Sequence, residues 1–333
     1  LSGELIFKLV LFSMLNSDKM SLRVMEQYLE SGQFRAFTGY DSTTGKYNSI
    51  RDRLCSINAD YFEGLFNRLF EIYSSHLSES SAITRLDSTY VSLASKLLRN
   101  GMVNGPGDKK FVKFSICLKG SLPSSVRGFL DHPYVIEDLA LGEVANADDK
   151  LSGHFVVFDR GLRSREVLDS ITSCSKFFVC RANPRTRVVK AQDRAIAPKP
   201  AGATVTILSD SLGYLTNKTG KISSHRYRVI KATMDNNGQA ICFVSNIEDQ
   251  SAYDLAKIYK QRWDIEVFFK FLKQHLNMKH LVSRTPNGIK VMIYMTLILA
   301  MLLMVYKKLN KIKGYKIAKL QFELEREIIK TIV

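Results

Sequence analysis

The stretch His154–Ala182, HFVVFDRGLRSREVLDSITSCSKFFVCRA, decides the fold class of this 333-residue chain. Four consecutive apolar residues, Phe155 to Phe158, have the texture of a strand buried on both faces, and the run stops abruptly at Asp159 and Gly161. A helical segment, SREVLDSITSCS, follows, and a second buried strand, FFVCRA, closes the unit. Strand, helix, strand at this spacing makes a β-α-β unit with a parallel pair and a right-handed crossover, so the chain belongs to the α/β class. Polar residues at the carboxyl ends of such strands are where α/β folds place their sites, and Asp159 stands at one.

Upstream of that unit the texture changes twice. Residues 1–78 carry apolar residues at three- and four-residue spacing in ELIFKLVLFSML, SLRVMEQYLES and NADYFEGLFNRLFEIYSSHL, which predicts a helical module, a candidate for DNA binding. From residue 79 the runs become short and β-like: AITRLDSTYVSL, KFVKFSICLKG and SSVRGFLD. The segment NGPGDKK between the first two superficially resembles a phosphate loop, but without a Gly-Lys-Ser/Thr ending or a following helix it reads as a plain turn. Downstream, residues 184–250 lose the helical signal and carry β runs, TVTILSD and the hairpin-like YRVIKATMDNNGQAICFVSNI, with Asn237-Gly238 at the turn. The expected organisation is therefore helices over 1–78, the first part of a core over 79–183, a β-rich insertion over 184–250, the core continued over 251–310 and a charged helix over 311–333.

The core resumes with YKQRWDIEVFFKFLK, Tyr259 to Lys273. At about 100° per residue, Tyr259, Arg262, Glu266 and Lys273 fall on one narrow arc, and Ile258, Ile265, Phe268, Phe269, Leu272 and Leu276 fall on the adjoining one. This predicts one helix, capped by Ser251 and Asp254, running to about Leu276 and half-sunk in a core. Behind it, VMIYMTLILAMLLMVY, Val291 to Tyr306, is short of the roughly twenty residues needed to span a membrane and reads as a buried helix.

Composition narrows the partner. The 48 Lys and Arg against 32 Asp and Glu give a formal charge of +16, an excess that points to a polyanion, nucleic acid first. Five scattered cysteines, odd in number and never in a Cys-x-x-Cys pair, suggest neither a disulfide framework nor a zinc site, and a reducing cytoplasm is expected. The N-terminal LIFKLVLFSML lacks the basic lead and cleavage site of a signal sequence. The chain opens on Leu1, so its natural start is expected to lie upstream.

Asp87 lies in the middle of the β-like run TRLDSTY, where aspartate is normally depleted. Taken singly, Asp87 reads as a turn acid, Asp159 as a helix cap and Glu266 as a surface partner for Arg262. If the strands of Asp87 and Asp159 are neighbours and the helix of Glu266 packs across them, three carboxylates converge. Like charges so gathered call for a cation, and hard oxygen ligands favour Mg²⁺ or Mn²⁺. Two such ions about 4 Å apart support in-line attack on a phosphodiester.

The spacing Tyr259-x2-Arg262-x3-Glu266-x6-Lys273, with LDST and FDRG supplying two aspartates upstream, resembles the Tyr-Arg-Glu-Lys signature of the insertion-sequence-four type of bacterial DDE transposases. The resemblance covers roughly residues 80–310. It implies a ribonuclease-H-like mixed sheet flanked by helices and interrupted by a β-rich insertion, with Asp87, Asp159 and Glu266 holding two Mg²⁺ ions, Mn²⁺ being able to substitute. It further implies that Arg262, Lys273 and Arg160 contact DNA phosphates and that Tyr259 places terminal nucleotides. The implied reaction is cleavage at the element's terminal inverted repeats followed by strand transfer into target DNA, by a homodimer or larger assembly in the bacterial cytoplasm, at the nucleoid and away from any membrane. One departure is the strand KFVKFSICL after Asp87, which lacks a histidine often seen there. Trp263 is a candidate for stacking on a base, although packing beside the insertion is an equal expectation, and His275 and His280 read as solvated or phosphate-facing. A Mg²⁺-dependent nuclease of the same fold and a silent DNA-binding relic are the alternatives.

Overall fold

The computed structural model describes residues 1–17, 19–76, 83–92, 101–103, 110–147, 155–159, 164–216, 220–276, 278, 281–283, 285–320 and 322. Arg160, His280, residues 104–109 of the glycine-rich turn and most of the C-terminal helix expected over 311–333 lie outside them.

One mixed sheet organises the molecule. Its strands are β1 (Ile83–Ser92), β2 (Met102–Val103), β3 (Lys110–Lys119), β4 (Leu122–Phe129), β5 (Phe155–Phe158), β6 (Phe177–Ala182), β7 (Arg187–Asp193), β8 (Val205–Thr216), β9 (Ile222–Met234) and β10 (Ala240–Ser245). They run in the order β2-β3-β1-β5-β6-β10-β9-β8-β7, with β4 also paired to β3. The central pairs β1·β5 and β5·β6 are parallel, and every other pair is antiparallel. The β-α-β unit is as the sequence predicts: β5, then α7 (Arg165–Ser173) capped by Ser164, then β6.

The strands of the 184–250 region extend this sheet, because β10 pairs with β6 with Val244 opposite Cys180. Its hairpin turns at Gly238, which takes the positive φ of 67° that a tight turn requires.

The helices before residue 77 are α1 (Gly3–Asn16), α2 (Leu22–Leu29), α3 (Gly32–Thr38), α4 (Tyr47–Ser56) and α5 (Ala59–His76). Serine caps recur at their starts: the Oγ atoms of Ser2, Ser21 and Ser31 each accept a backbone N–H three residues on. These helices share one apolar cluster with the sheet face of Phe114 and Ile116 and with Phe268 and Leu272. The centre of that cluster is α10 (Pro286–Leu309), started by the Thr285 cap and Pro286 and longer than its apolar run. It is long and apolar enough to cross a membrane by length and composition, but 89% of its most apolar window is buried against protein.

Two smaller clusters cover the rest of the sheet. Leu86, Val156, Phe158 and Phe178 pack on one face with α6 (Glu137–Ala147) and α7. Val157, Val179 and Phe243 pack on the opposite face with Leu255 and Tyr259.

The single helix expected from Ser251 to Leu276 is two: α8 (Ala252–Lys260) and α9 (Trp263–His275). At the joint the bonds tighten to i→i−3, with Gln261 N donating to Ile258 O, Arg262 N to Tyr259 O and Ile265 N to Arg262 O. The cause lies in the sheet. Strands rotate by roughly 20° from one to the next, and a straight rod cannot keep contact from the Phe243 cluster under α8 to the Phe114 cluster under α9. The joint lets the chain follow the twist.

Candidate active site

Three separate elements bring the acids together. In the parallel pair β1·β5, Ile83, Thr84 and Arg85 stand opposite Phe155, Val156 and Val157. Continuing that register by two residues puts Asp87 beside Asp159, at the point where β5 ends. Both acids alternate with the Leu86 and Phe158 side, so they share the face covered by α8 and α9. Glu266 arrives in the first turns of α9, which packs on that face through Ile265, Phe268 and Leu272.

Arg262, at the joint, stands among all three. Its Nη2 lies 2.6 Å from Glu266 Oε1, and its Nη1 lies 3.7 Å from Asp87 Oδ2 and 3.9 Å from Asp159 Oδ2. Tyr259 donates its hydroxyl hydrogen to Asp159 Oδ1 at 2.9 Å. The guanidinium carbon lies 5.8 Å from the Tyr259 ring centroid. Yet the Arg262 Nε is buried with no hydrogen-bond partner.

The electrostatics show acids held close together. Burial pushes the Asp87 carboxyl up to about 6, helped by the charges of Glu137 and Asp159 and opposed by the Ser88 N–H and Arg262. The Ser88 N–H donates to Asp87 Oδ1 at 2.8 Å. Burial first, then the negative charge of Asp159, raises the Tyr259 hydroxyl, which keeps it a donor. Burial works against the Arg262 charge, but the bond to Glu266 and the surrounding negative charge prevail, and its pKa is raised.

Beyond Glu266 an open groove runs between β1 and α9, lined by Ser88, Thr89, Glu266, Phe269, Lys270, Lys273 and Gln274. Lys273 therefore shares the site's wall without reaching the acids' contacts described above. The Tyr259 ring, by contrast, is buried against Phe243 at 5.1 Å. Its hydroxyl, at the ring's edge, is the part that reaches Asp159. Trp263 does not pack beside the insertion: it is 63% exposed. His275 is half-buried and shifted down by burial and by Lys319 and Lys316.

As a cation site the donor set is chemically right, being carboxylate oxygens only. Among the described residues, however, no group of three His, Cys, Asp or Glu is arranged to hold a metal ion, and the Arg262 guanidinium lies among the three acids. The orphaned Nε shows that this cation is incompletely matched to its place. The carboxylates are the right chemistry for a divalent cation, and Arg262 occupies their midst as they stand.

Sequence reasoning missed two groups. Glu137, at the start of α6, ion-pairs with the buried Lys113, and its charge adds to the rise of Asp87 through the sheet; no pattern in the sequence signals this. Arg85 offered a signal: two charges, Arg85 and Asp87, alternate on one face of a strand interior.

A mixed sheet with β1 and β5 parallel at its centre and helices on both faces is of the ribonuclease-H-like fold class. The chain belongs to the family described as the transposase DDE domain, which matches residues 131–302, just over half its length. That match takes in Asp159 and Glu266 and begins after Asp87. The chain is 32% identical over 187 residues to the transposase for insertion sequence element IS421 of Escherichia coli, covering 53% of this chain and 48% of that protein. It is 28% identical over 166 residues to the y4zB protein of Sinorhizobium fredii, covering 48% and 45% respectively. The chain thus matches about half the length of these relatives. The piggyBac transposase, in a synaptic complex with hairpin DNA, superposes with a TM-score of 0.51 over 97% of this chain and 70% of that one, at 10% identity, a likeness of fold.

Proposed function

We propose that this protein is a DNA transposase that cuts at the ends of an insertion sequence and joins the freed ends to target DNA. The observation that carries the reading is the register of β1 and β5, which sets Asp87 beside Asp159 under a helix carrying Glu266. Family membership and the +16 charge agree with it.

Asp87, Asp159 and Glu266 are the residues that would hold divalent magnesium, two ions in this reading. Bound there, the metal activates the attacking oxygen and stabilises the leaving one. Tyr259 orients Asp159 through its hydroxyl. Arg262 is the cation poised to pass from the acids to a phosphate, and Lys273 and Lys270 present further positive charge along the groove toward the DNA backbone. Arg160, next to Asp159 in sequence, is a further phosphate contact in this reading. The helices of residues 1–78 are the candidate reader of the element's terminal repeats, and the enzyme acts on DNA in the bacterial cytoplasm as a dimer or larger assembly on paired ends.

The test is incubation of the purified protein with a duplex carrying the terminal repeats that flank its gene, plus Mg²⁺, beside Asp87→Asn, Asp159→Asn and Glu266→Gln. Metal-dependent nicking at the repeat end, followed by joining to a target plasmid, is expected from the unsubstituted protein only. Nicking without joining would make it a nuclease. Retention of ordinary cleavage by Glu266→Gln would overturn the site.

A further inference from the structure

Arg85 is a buried charge with an unusual set of partners. It is 5% exposed, and its strand position puts it on the same face as Asp87, two residues on. Its Nε donates to the Gln261 carbonyl at 2.9 Å, its Nη2 to Gln261 Oε1 at 2.9 Å, and its Nη1 to the Gly120 carbonyl at 2.6 Å. Nη2 also lies 3.1 Å from Asp264 Oδ2. Gln261 and Asp264 flank Arg262 and belong to the joint between α8 and α9; Gly120 is the turn between β3 and β4. One guanidinium therefore ties the strand of the first acid to the helix joint that carries Arg262 and leads into Glu266.

A charge this deep is costly to desolvate, and the apolar packing of α8 and α9 would hold two helices on a sheet without it. The rigid planar fork adds direction, fixing the joint at several points at once. Its burial also bars it from reaching a phosphate on bound DNA. We infer that Arg85 is a positioning residue of the reaction: it sets Arg262 and Glu266 against Asp87 and Asp159 by locking the α8–α9 joint to β1. This rests on the function proposed above.

The experiment uses the full chain, the same terminal-repeat duplex and Mg²⁺ for single-turnover cleavage, with Mn²⁺ binding by electron paramagnetic resonance and thermal melting alongside. Arg85→Gln is expected to slow cleavage about 100-fold, the loss that a shift of about 1 Å in a reacting group produces, while duplex affinity stays unchanged. Arg85→Lys, which restores the charge without the fork, should recover part of that rate. Because Arg85 acts through Glu266, adding Glu266→Gln to Arg85→Gln should weaken Mn²⁺ binding less than Glu266→Gln does alone. A role confined to folding would lower the melting temperature, leave the rate per folded molecule intact and make the two substitutions additive; that result overturns the inference. If Arg85→Gln does not fold, Gln261→Ala removes one prong of the same lock and should slow cleavage about tenfold at an unchanged melting temperature, and a full rate there overturns the inference as well. Full cleavage by Glu266→Gln would sink the function itself and this inference with it, whereas full cleavage by Arg85→Gln beside an inactive Glu266→Gln sinks this inference alone.

Discussion

Two arginines, the buried Arg228 and the half-buried Arg262, do opposite things with the same side chain. Arg228, on β9, is 1% exposed and meets Asp210, 2% exposed, with two prongs of its fork. Its Nη1 donates to the carbonyls of Ile247 and Gln250, in the link that leads to α8. Arg228 meets a single carboxylate, which Arg194 also approaches at 4.0 Å, and each nitrogen of the Arg228 guanidinium has an acceptor. Arg262 meets three acids, two of them at long range, and leaves its Nε unmatched. A closed set of partners marks a fixture of the fold, and an open, over-acidic set marks a candidate functional site.

That contrast can be broken in several ways. The largest effect is expected at the acids: Asp159→Ala should lose metal-dependent cleavage by several orders of magnitude, as in other sites that act as a unit, yet melt near the unsubstituted temperature. Loss of the fold instead would put Asp159 in the same category as Asp210. Next, Arg228→Ala should destabilise the protein by about 3–5 kcal/mol by stranding the buried Asp210 charge, with cleavage per folded molecule unchanged; chemical denaturation and single-turnover rates check both halves. Arg262→Gln should melt lower in chelator, because three acids lose their only shared cation among the described residues, and Mg²⁺ should restore more stability to it than to the unsubstituted protein.

The acid site also has a pH signature. In metal-free protein the Asp87 carboxyl titrates at about 6, above its ordinary 3.8. The folded state therefore holds a proton between those values that the unfolded state releases, so this group's contribution falls as pH rises from about 4 to 6 and stays unfavourable above. Asp87→Asn, which mimics the protonated form, should raise the melting temperature of chelated protein above pH 6 and change little below pH 4. An equal shift at both pH values would show that packing, not charge, controls this position. The smallest effect is expected at Lys273→Ala, which should lower the salt dependence of duplex binding by about one unit of slope, the share of one phosphate.

How much of this could be read from residues alone depended on the range of the interaction. The β-α-β unit was fully legible, since buried strands and a capped amphipathic helix are written in local pattern. The sequence also singled out Asp87, Asp159, Glu266 and Arg262, which the structure brings together around the Arg262 guanidinium. The division of the 251–276 helix was not legible, because the break answers to the twist of a sheet assembled from strands up to about 170 residues away and to Arg85, whose partners are distant in sequence. Tyr259 projected onto the same arc as Glu266, and only the kink shows it buried, with its hydroxyl on Asp159. The extension of the central sheet by β10 was equally hidden: alternation reveals a strand, but not its neighbour.

That extension fixes a length. Paired strands run in order from β7 through β8, β9, β10 and β6 to β5, whose last residue, Phe158, precedes Asp159. Five interstrand steps of about 4.8 Å hold the outer edge roughly 24 Å from that carboxylate, close to the rise of seven base pairs of duplex at about 3.4 Å each. The sheet is thus a fixed span: its far edge is held off from Asp159 by hydrogen-bonded strands rather than by a hinge.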